Sequence, residues 1–157
     1  DPLADVVDAD LASRIVWFDA LVTNLDRTAR NTNMLMWHRR LWLIDHGAAL
    51  YFHHAGLGDS AAARKPFPLI RDHVLLPWAS RVAEVDAELS ARLPPRVVED
   101  ILALVPDAWL ADAAPAPAGE PASPAARRAA YVDHFARRLA APRPFVTEAA
   151  SARAADV

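Results

Sequence analysis

Asn24, Asn31 and Asn33 are the only asparagines of the chain, and they fall within ten positions, in the run Asn24-Leu25-Asp26-Arg27-Thr28-Ala29-Arg30-Asn31-Thr32-Asn33. Asp45-His46-Gly47 follows shortly after. Elsewhere Ala, Leu, Val, Arg and Pro dominate, so a carboxamide-rich patch marks a site rather than drift in composition. Asp26 and Asn31 stand five apart, which is the offset between the carboxylate that accepts a hydroxyl proton and the amide that binds the metal in phosphoryl-transfer loops. Asp45, two residues before a glycine, matches the usual second magnesium ligand. Magnesium is a hard cation that wants oxygen donors and keeps several waters, so Asn31 and Asp45 leave room for nucleotide phosphates. Asp26 then faces the acceptor hydroxyl, in a reaction governed more by alignment than by base strength.

Other residues of the run divide between chemistry and structure. Arg27 and Arg30 flank the catalytic position, where a guanidinium steadies a transferred phosphate or pairs with a nearby carboxylate. Arg30 is placed with Asn31 and Asp45 in the nucleotide site. Asn33, at the start of a strand, reads as a turn residue, and the competing reading of the whole run is a polar loop whose Asx side chains only cap helices and turns. His46, His53 and His54 hint at a metal cluster, but no His-Glu-x-x-His helix accompanies them. Trp37 and Trp42 read as cross-strand packing, and the pairs Arg127-Arg128 and Arg137-Arg138 as solvated faces of a late helix.

The elements that position these residues follow from periodicity. Leu11, Ile15, Phe18, Val22 and Leu25 recur at helical spacing and predict a helix, capped by Asp10, that delivers the chain to Asp26. Met34 to Trp37 and Leu41 to Ile44 are short apolar runs around His38-Arg39-Arg40, which predicts a tight antiparallel hairpin. Its strands, roughly 13 Å each at ~3.3 Å per residue, bring Asn31 and Asp45 together at the open end. Ala55 to Ser60 reads as a surface loop. From Ile70 onward the pattern is helical: Val82, Val85, Leu89 and Leu93 share a face, with Pro77 as a start or kink. Pro95 opens the next helix, whose Val97 or Val98, Ile101 and Val105 face inward, and Pro106 ends it. A helix carrying Tyr131, Phe135 and Leu139 follows, then a tail helix after Pro144. The expected organisation is a core over 1–110, an Ala/Pro-rich linker over 111–124 and a helical segment over 125–157 that packs on the core.

Composition narrows the function classes. With 157 residues, 54% of them hydrophobic, the chain can bury one ordinary core. A net charge of -3 gives no field for nucleic acid or an anionic membrane. There are no cysteines, which excludes disulfides and thiolate metal sites and fits a cytoplasmic setting. The single lysine, Lys65, and all four glycines lie after the Asp26 loop. A phosphate-gripping lysine and a glycine-rich cover are therefore missing before it, and the chain reads as the carboxy-terminal half of an enzyme.

Phe18 to Asn31, with Asp-Arg-x-x-x-Asn at its end, and Leu43-Ile44-Asp45-His46-Gly47 resemble the HipA-like bacterial kinases, especially the shorter HipA-family branch. The same pair of motifs is distantly similar to the catalytic and metal loops of phosphoinositide kinases. The resemblance implies a mainly α, kinase-like carboxy-terminal lobe with a small hairpin carrying the metal-binding loop, ATP and magnesium as cofactors, Asp26 as catalytic aspartate, Asn31 as a metal ligand and Asp45 as the aspartate of an Asp-Phe-Gly motif with His46 in place of Phe. It also implies an amino-terminal lobe with the nucleotide lysine, which this sequence does not include; it does not fix the acceptor, for which a protein serine or threonine hydroxyl is the expectation. A small-molecule or lipid kinase and a noncatalytic helical interaction module are the alternatives.

Overall fold

A computed structural model describes residues 7–51, 61–111 and 121–155. Among them are six α-helices and one two-stranded antiparallel hairpin, so the chain is mainly helical with a small hairpin. The surface loop expected at Ala55 to Ser60, the pair His53 and His54, and most of the Ala/Pro-rich stretch lie outside the described residues. No described helix is long and apolar enough to cross a membrane. The chain divides into two compact units, the first made of Asp1–Tyr51, Pro66–Ala87 and Pro144–Val157, the second of Phe52–Lys65 and Glu88–Arg143.

In the first unit, helix α1 (Ala9–Leu21) is capped by Asp8, whose side chain accepts from the Leu11 N–H at 2.8 Å. Asp10, expected as the cap, instead pairs with Arg14 at 2.6 Å and Arg81 at 2.9 Å. The buried face also differs from the expected stripe: Ala12, Ile15, Val16, Trp17, Ala20 and Leu21 turn inward, while Leu11 and Phe18 are 37% and 38% exposed. A helix with apolar residues nearly all round offers more than one inward face, and the partners of Trp17 decide it. Its ring meets Phe145 edge-on at 5.6 Å, and its Nε1 donates to Asp86 at 2.8 Å. Ser13, also inside, is satisfied by donating to the Ala9 carbonyl and accepting from the Arg81 N–H.

Helix α1 packs on α6 (Pro144–Ala155) and on two 3₁₀ turns, Pro68–Asp72 and Leu76–Trp78, around Ile70, Leu75, Leu76, Val82 and Phe145. The helical pattern expected from Ile70, with Pro77 as a start or kink, is here two 3₁₀ turns, since Pro77 removes a backbone donor that a continuing α-helix would use. Only at Val82 does α2 (Val82–Ala91) begin, burying Val82 and Val85.

The hairpin joins β1 (Met34–Trp37) to β2 (Arg40–Leu43) in the register Met34↔Leu43, Leu35↔Trp42, Met36↔Leu41, Trp37↔Arg40. Arg40 therefore belongs to the strand. The turn is only His38 and Arg39, both left-handed at φ 47° and 62°, the geometry that suits strand twist but usually recruits Asn and Gly. Alternation along the pleat puts Leu35, Trp37, Arg40 and Trp42 on one face, and all four are exposed.

The second unit holds α3 (Pro95–Ala103), α4 (Asp107–Leu110) and α5 (Pro124–Leu139). Pro95 occupies the first turn of α3, and Pro106 caps α4. Val98 and Tyr131 are buried, but Ile101, expected inside, is 52% exposed. Only one arginine of each pair turns inward, while Arg137 is exposed as expected and Arg128 half-buried. Arg127 and Arg138 are buried, donating to the carbonyls of Pro121 and Leu110 and of Ala63 and Lys65 respectively. Arg64 in turn donates to the carbonyls of Arg137 and Ala140, placing a cation at the carboxy-terminal end of α5.

Candidate active site

Helix α1 stops before the site because Thr23 turns left-handed, at φ 50°. The Asn24 N–H then bonds back to the Asp19 carbonyl at 2.9 Å and the Thr23 N–H to Ala20 at 3.4 Å, a six-to-one and five-to-two closure of the helix end. Thr is a poor residue for that position, and its buried Oγ1 makes no hydrogen bond. Thr23→Gly is expected to raise stability by about 1 kcal/mol, seen as a higher thermal midpoint. An unchanged or lower midpoint would show that the left-handed turn costs nothing here.

Beyond the turn, the loop is held on both sides. The Asn24 side chain accepts from the Asp26 N–H at 3.2 Å, Thr28 and Asn31 exchange backbone bonds at 2.9 and 3.1 Å, and the Arg27 carbonyl accepts from Val74 at 2.9 Å. Against that frame Asn31 Nδ2 donates to Asp26 Oδ2 at 2.8 Å. Asn33 Nδ2 lies 3.4 Å from the same oxygen and 3.3 Å from the Asp45 carbonyl. Asp26 and Asn31 are thus in direct contact, and Asp45 joins them through its backbone by way of Asn33. The Asp45 carboxylate is exposed, with Oδ1 at 3.4 Å from the Gly47 N–H. Arg30 is exposed beside Asn31 and makes no ion pair among the described residues.

Magnesium takes oxygen donors, and Asn31 and Asp45 are residues able to supply them. With its nitrogen committed to Asp26, Asn31 has its Oδ1 left for a cation, an orientation assigned from the hydrogen-bond network. Asp45 adds an exposed carboxylate, and two protein oxygens are the number that magnesium commonly takes beside phosphates and water. No group of three or more His, Cys, Asp or Glu that could hold a metal ion occurs among the described residues. Asn33, expected as a turn residue, does sit left-handed at φ 45°, but it is buried and bridges the two loops as well.

No family model matches this chain, and neither does any curated protein or solved structure. What the site can do rests on its own residues.

Below the site lies a buried network for which the sequence gives little sign. Asp19, fully buried in the last turn of α1, accepts from Arg27 Nε, from Asn24 Nδ2 at 3.0 Å and from His73 Nε2 at 3.0 Å. His73 Nδ1 accepts from the Leu75 N–H at 3.0 Å, which puts the ring proton on Nε2 as the donor to Asp19. Burial pushes the Asp19 carboxyl up, but the hydrogen bonds from His73, Arg27 and Asn24 outweigh it and hold the group below the usual carboxylate range. Arg27 is committed here and is not a phosphate ligand: Nη1 donates to the Asn33 carbonyl and Nη2 lies 3.3 Å from His46 Nε2. A charged residue eight positions from an oppositely charged one next to a polar loop is the only local signal for the pair, and nothing local signals His73.

Proposed function

We propose that this chain is the carboxy-terminal lobe of an ATP- and magnesium-dependent phosphotransferase of the HipA-like kind, acting in the cytoplasm on a serine or threonine hydroxyl of a protein. The observation that carries the reading is the Asn31-to-Asp26 hydrogen bond, tied through Asn33 to Asp45 at the base of the hairpin. Asp26 orients the acceptor hydroxyl and takes its proton as the phosphoryl group transfers. Asn31 Oδ1 and the Asp45 carboxylate hold magnesium, which when bound neutralises charge on the phosphates. Arg30 adds a cation that draws the nucleotide in. The partner is an upstream lobe supplying the lysine and the phosphate cover, and the exposed Leu35, Trp37, Trp42 and Ile44, with Phe18, are the kind of apolar cluster such a lobe would cover.

The same exposed cluster favours one other reading, a noncatalytic module that uses the hairpin to bind a protein. Titrating Mg-ATP into residues 1–157 with NMR detection separates them. Millimolar binding centred on Asn31 and Asp45, with negligible transfer to protein, is expected, since the lysine and phosphate cover are missing. No shift at these residues would hand the chain to the interaction-module reading, and robust turnover would show that no further lobe is needed.

A further inference from the structure

We propose that His46 is a positioning residue for the Asp45 loop, coupling it to the buried Arg27–Asp19 pair. The proposal rests on the phosphotransferase reading only for the identity of the ion that Asp45 holds. Arg27 has donors and no acceptor, so at 3.3 Å it is the His46 Nε2 that accepts from Nη2, and the ring proton sits on Nδ1. The ring also stands edge-on to Phe18, with centroids 6.1 Å apart.

The guanidinium is a fixed anchor. Its Nε is on Asp19, its Nη1 on the Asn33 carbonyl and one hydrogen of Nη2 on Asp19 Oδ1 at 3.4 Å, and the whole side chain is buried, so the other Nη2 hydrogen has one direction left to point. That direction is the loop. Backbone bonds tie the loop at its flanks, Ile44 to Asn33 at 2.9 Å, Leu25 to Ala48 at 3.3 Å and Leu50 to Val22 at 2.6 Å. Between those ties, Asp45 and His46 are held to the α1 side of the site by the Asn33 amide, at 3.3 Å, and by the His46 ring. Asp45 adopts a left-handed backbone at φ 49°, which Asp tolerates better than most residues. A ring fixed to Arg27 one residue later restrains the peptide that sets where the Asp45 carboxylate points, as outer hydrogen bonds orient the ligands of metal sites generally.

The test uses residues 1–157, manganese as a paramagnetic probe of the magnesium site, and two substitutions of an exposed residue. His46→Gln keeps an acceptor within reach of Arg27; His46→Phe keeps the contact with Phe18 and loses the acceptor. Backbone order of residues 45–48 is measured by NMR without metal, and manganese affinity by line broadening at Asn31 and Asp45. In His46→Phe the loop is expected to loosen and manganese to bind about tenfold more weakly, with the thermal midpoint within about 2 °C of wild type. His46→Gln should stay within about twofold of wild type, since it restores the acceptor. Wild-type loop order in His46→Phe overturns the proposal, as does equal loosening in both variants. If manganese fails to broaden Asn31 and Asp45 in the wild type while His46→Phe still loosens the loop, the positioning role stands and the magnesium reading falls.

Discussion

Asp19→Ala is expected to lower the stability of the fold by about 3–5 kcal/mol, the range for breaking a buried ion pair from one side. The carboxylate is completely buried and receives bonds from Arg27, Asn24 and His73, so its removal leaves the Arg27 guanidinium charged in the interior with only a carbonyl and the His46 ring. A urea midpoint checks it; a loss under about 1 kcal/mol, typical of exposed pairs, would mean that water reaches the network. Acid gives a second check. The carboxyl is held below its ordinary value, so its contribution is complete above the unfolded-state pKa, about 3.9, and is lost as pH falls through the lower folded value. The gap in midpoint between wild type and Asp19→Asn should be constant from neutral pH to about pH 5 and narrow below about pH 4.

How far the sequence discloses this arrangement depends on the range of the interactions. The hairpin is legible because two short apolar runs flank a short basic one, a local pattern, and that reading misplaces β2 by only one residue, with Arg40 paired to Trp37. The meeting of Asp26 and Asn31 is legible for the same reason, since five residues of loop suffice to close it. The inward face of α1 is not, because Val16, Trp17 and Phe18 are consecutive and apolar, and Asp86 and Phe145, far along the chain, select Trp17. Asp19 and His73 are 54 residues apart and leave no local trace. Backbone conformation is hidden as well. Thr23, Asn33, His38, Arg39, Asp45 and Leu50 are the described non-glycine residues with positive φ, and only Asn33 and Asp45 are of types that tolerate it readily. His38 and Arg39 owe their positive φ to the exposed hairpin turn, whereas Thr23, Asn33, Asp45 and Leu50 lie in the segments that frame the site.

Asp26→Asn, in a protein carrying an upstream nucleotide lobe, is expected to reduce phosphotransfer by about 10²- to 10⁴-fold while Mg-ATP affinity changes little. The loop should survive the change, because the substituted amide still offers one oxygen to Asn31 Nδ2, the bond that Asp26 accepts at 2.8 Å. What it cannot do is take a proton from the acceptor hydroxyl. Asp45→Asn acts elsewhere: its carboxylate is exposed at the hairpin's base, and as the proposed magnesium ligand its neutralisation is expected to weaken Mg-ATP binding and turnover together. Asn31→Ala falls between the two, losing a neutral oxygen donor and the Asp26 contact. Calorimetry with Mg-ATP and labelled phosphate transfer measure the two quantities separately. Equal weakening of Mg-ATP binding by Asp26→Asn and Asp45→Asn, with wild-type turnover surviving in either, would contradict these roles, because a carboxylate that only faces the hydroxyl has no charge to lend the ion, and one that holds the ion cannot be neutralised without cost.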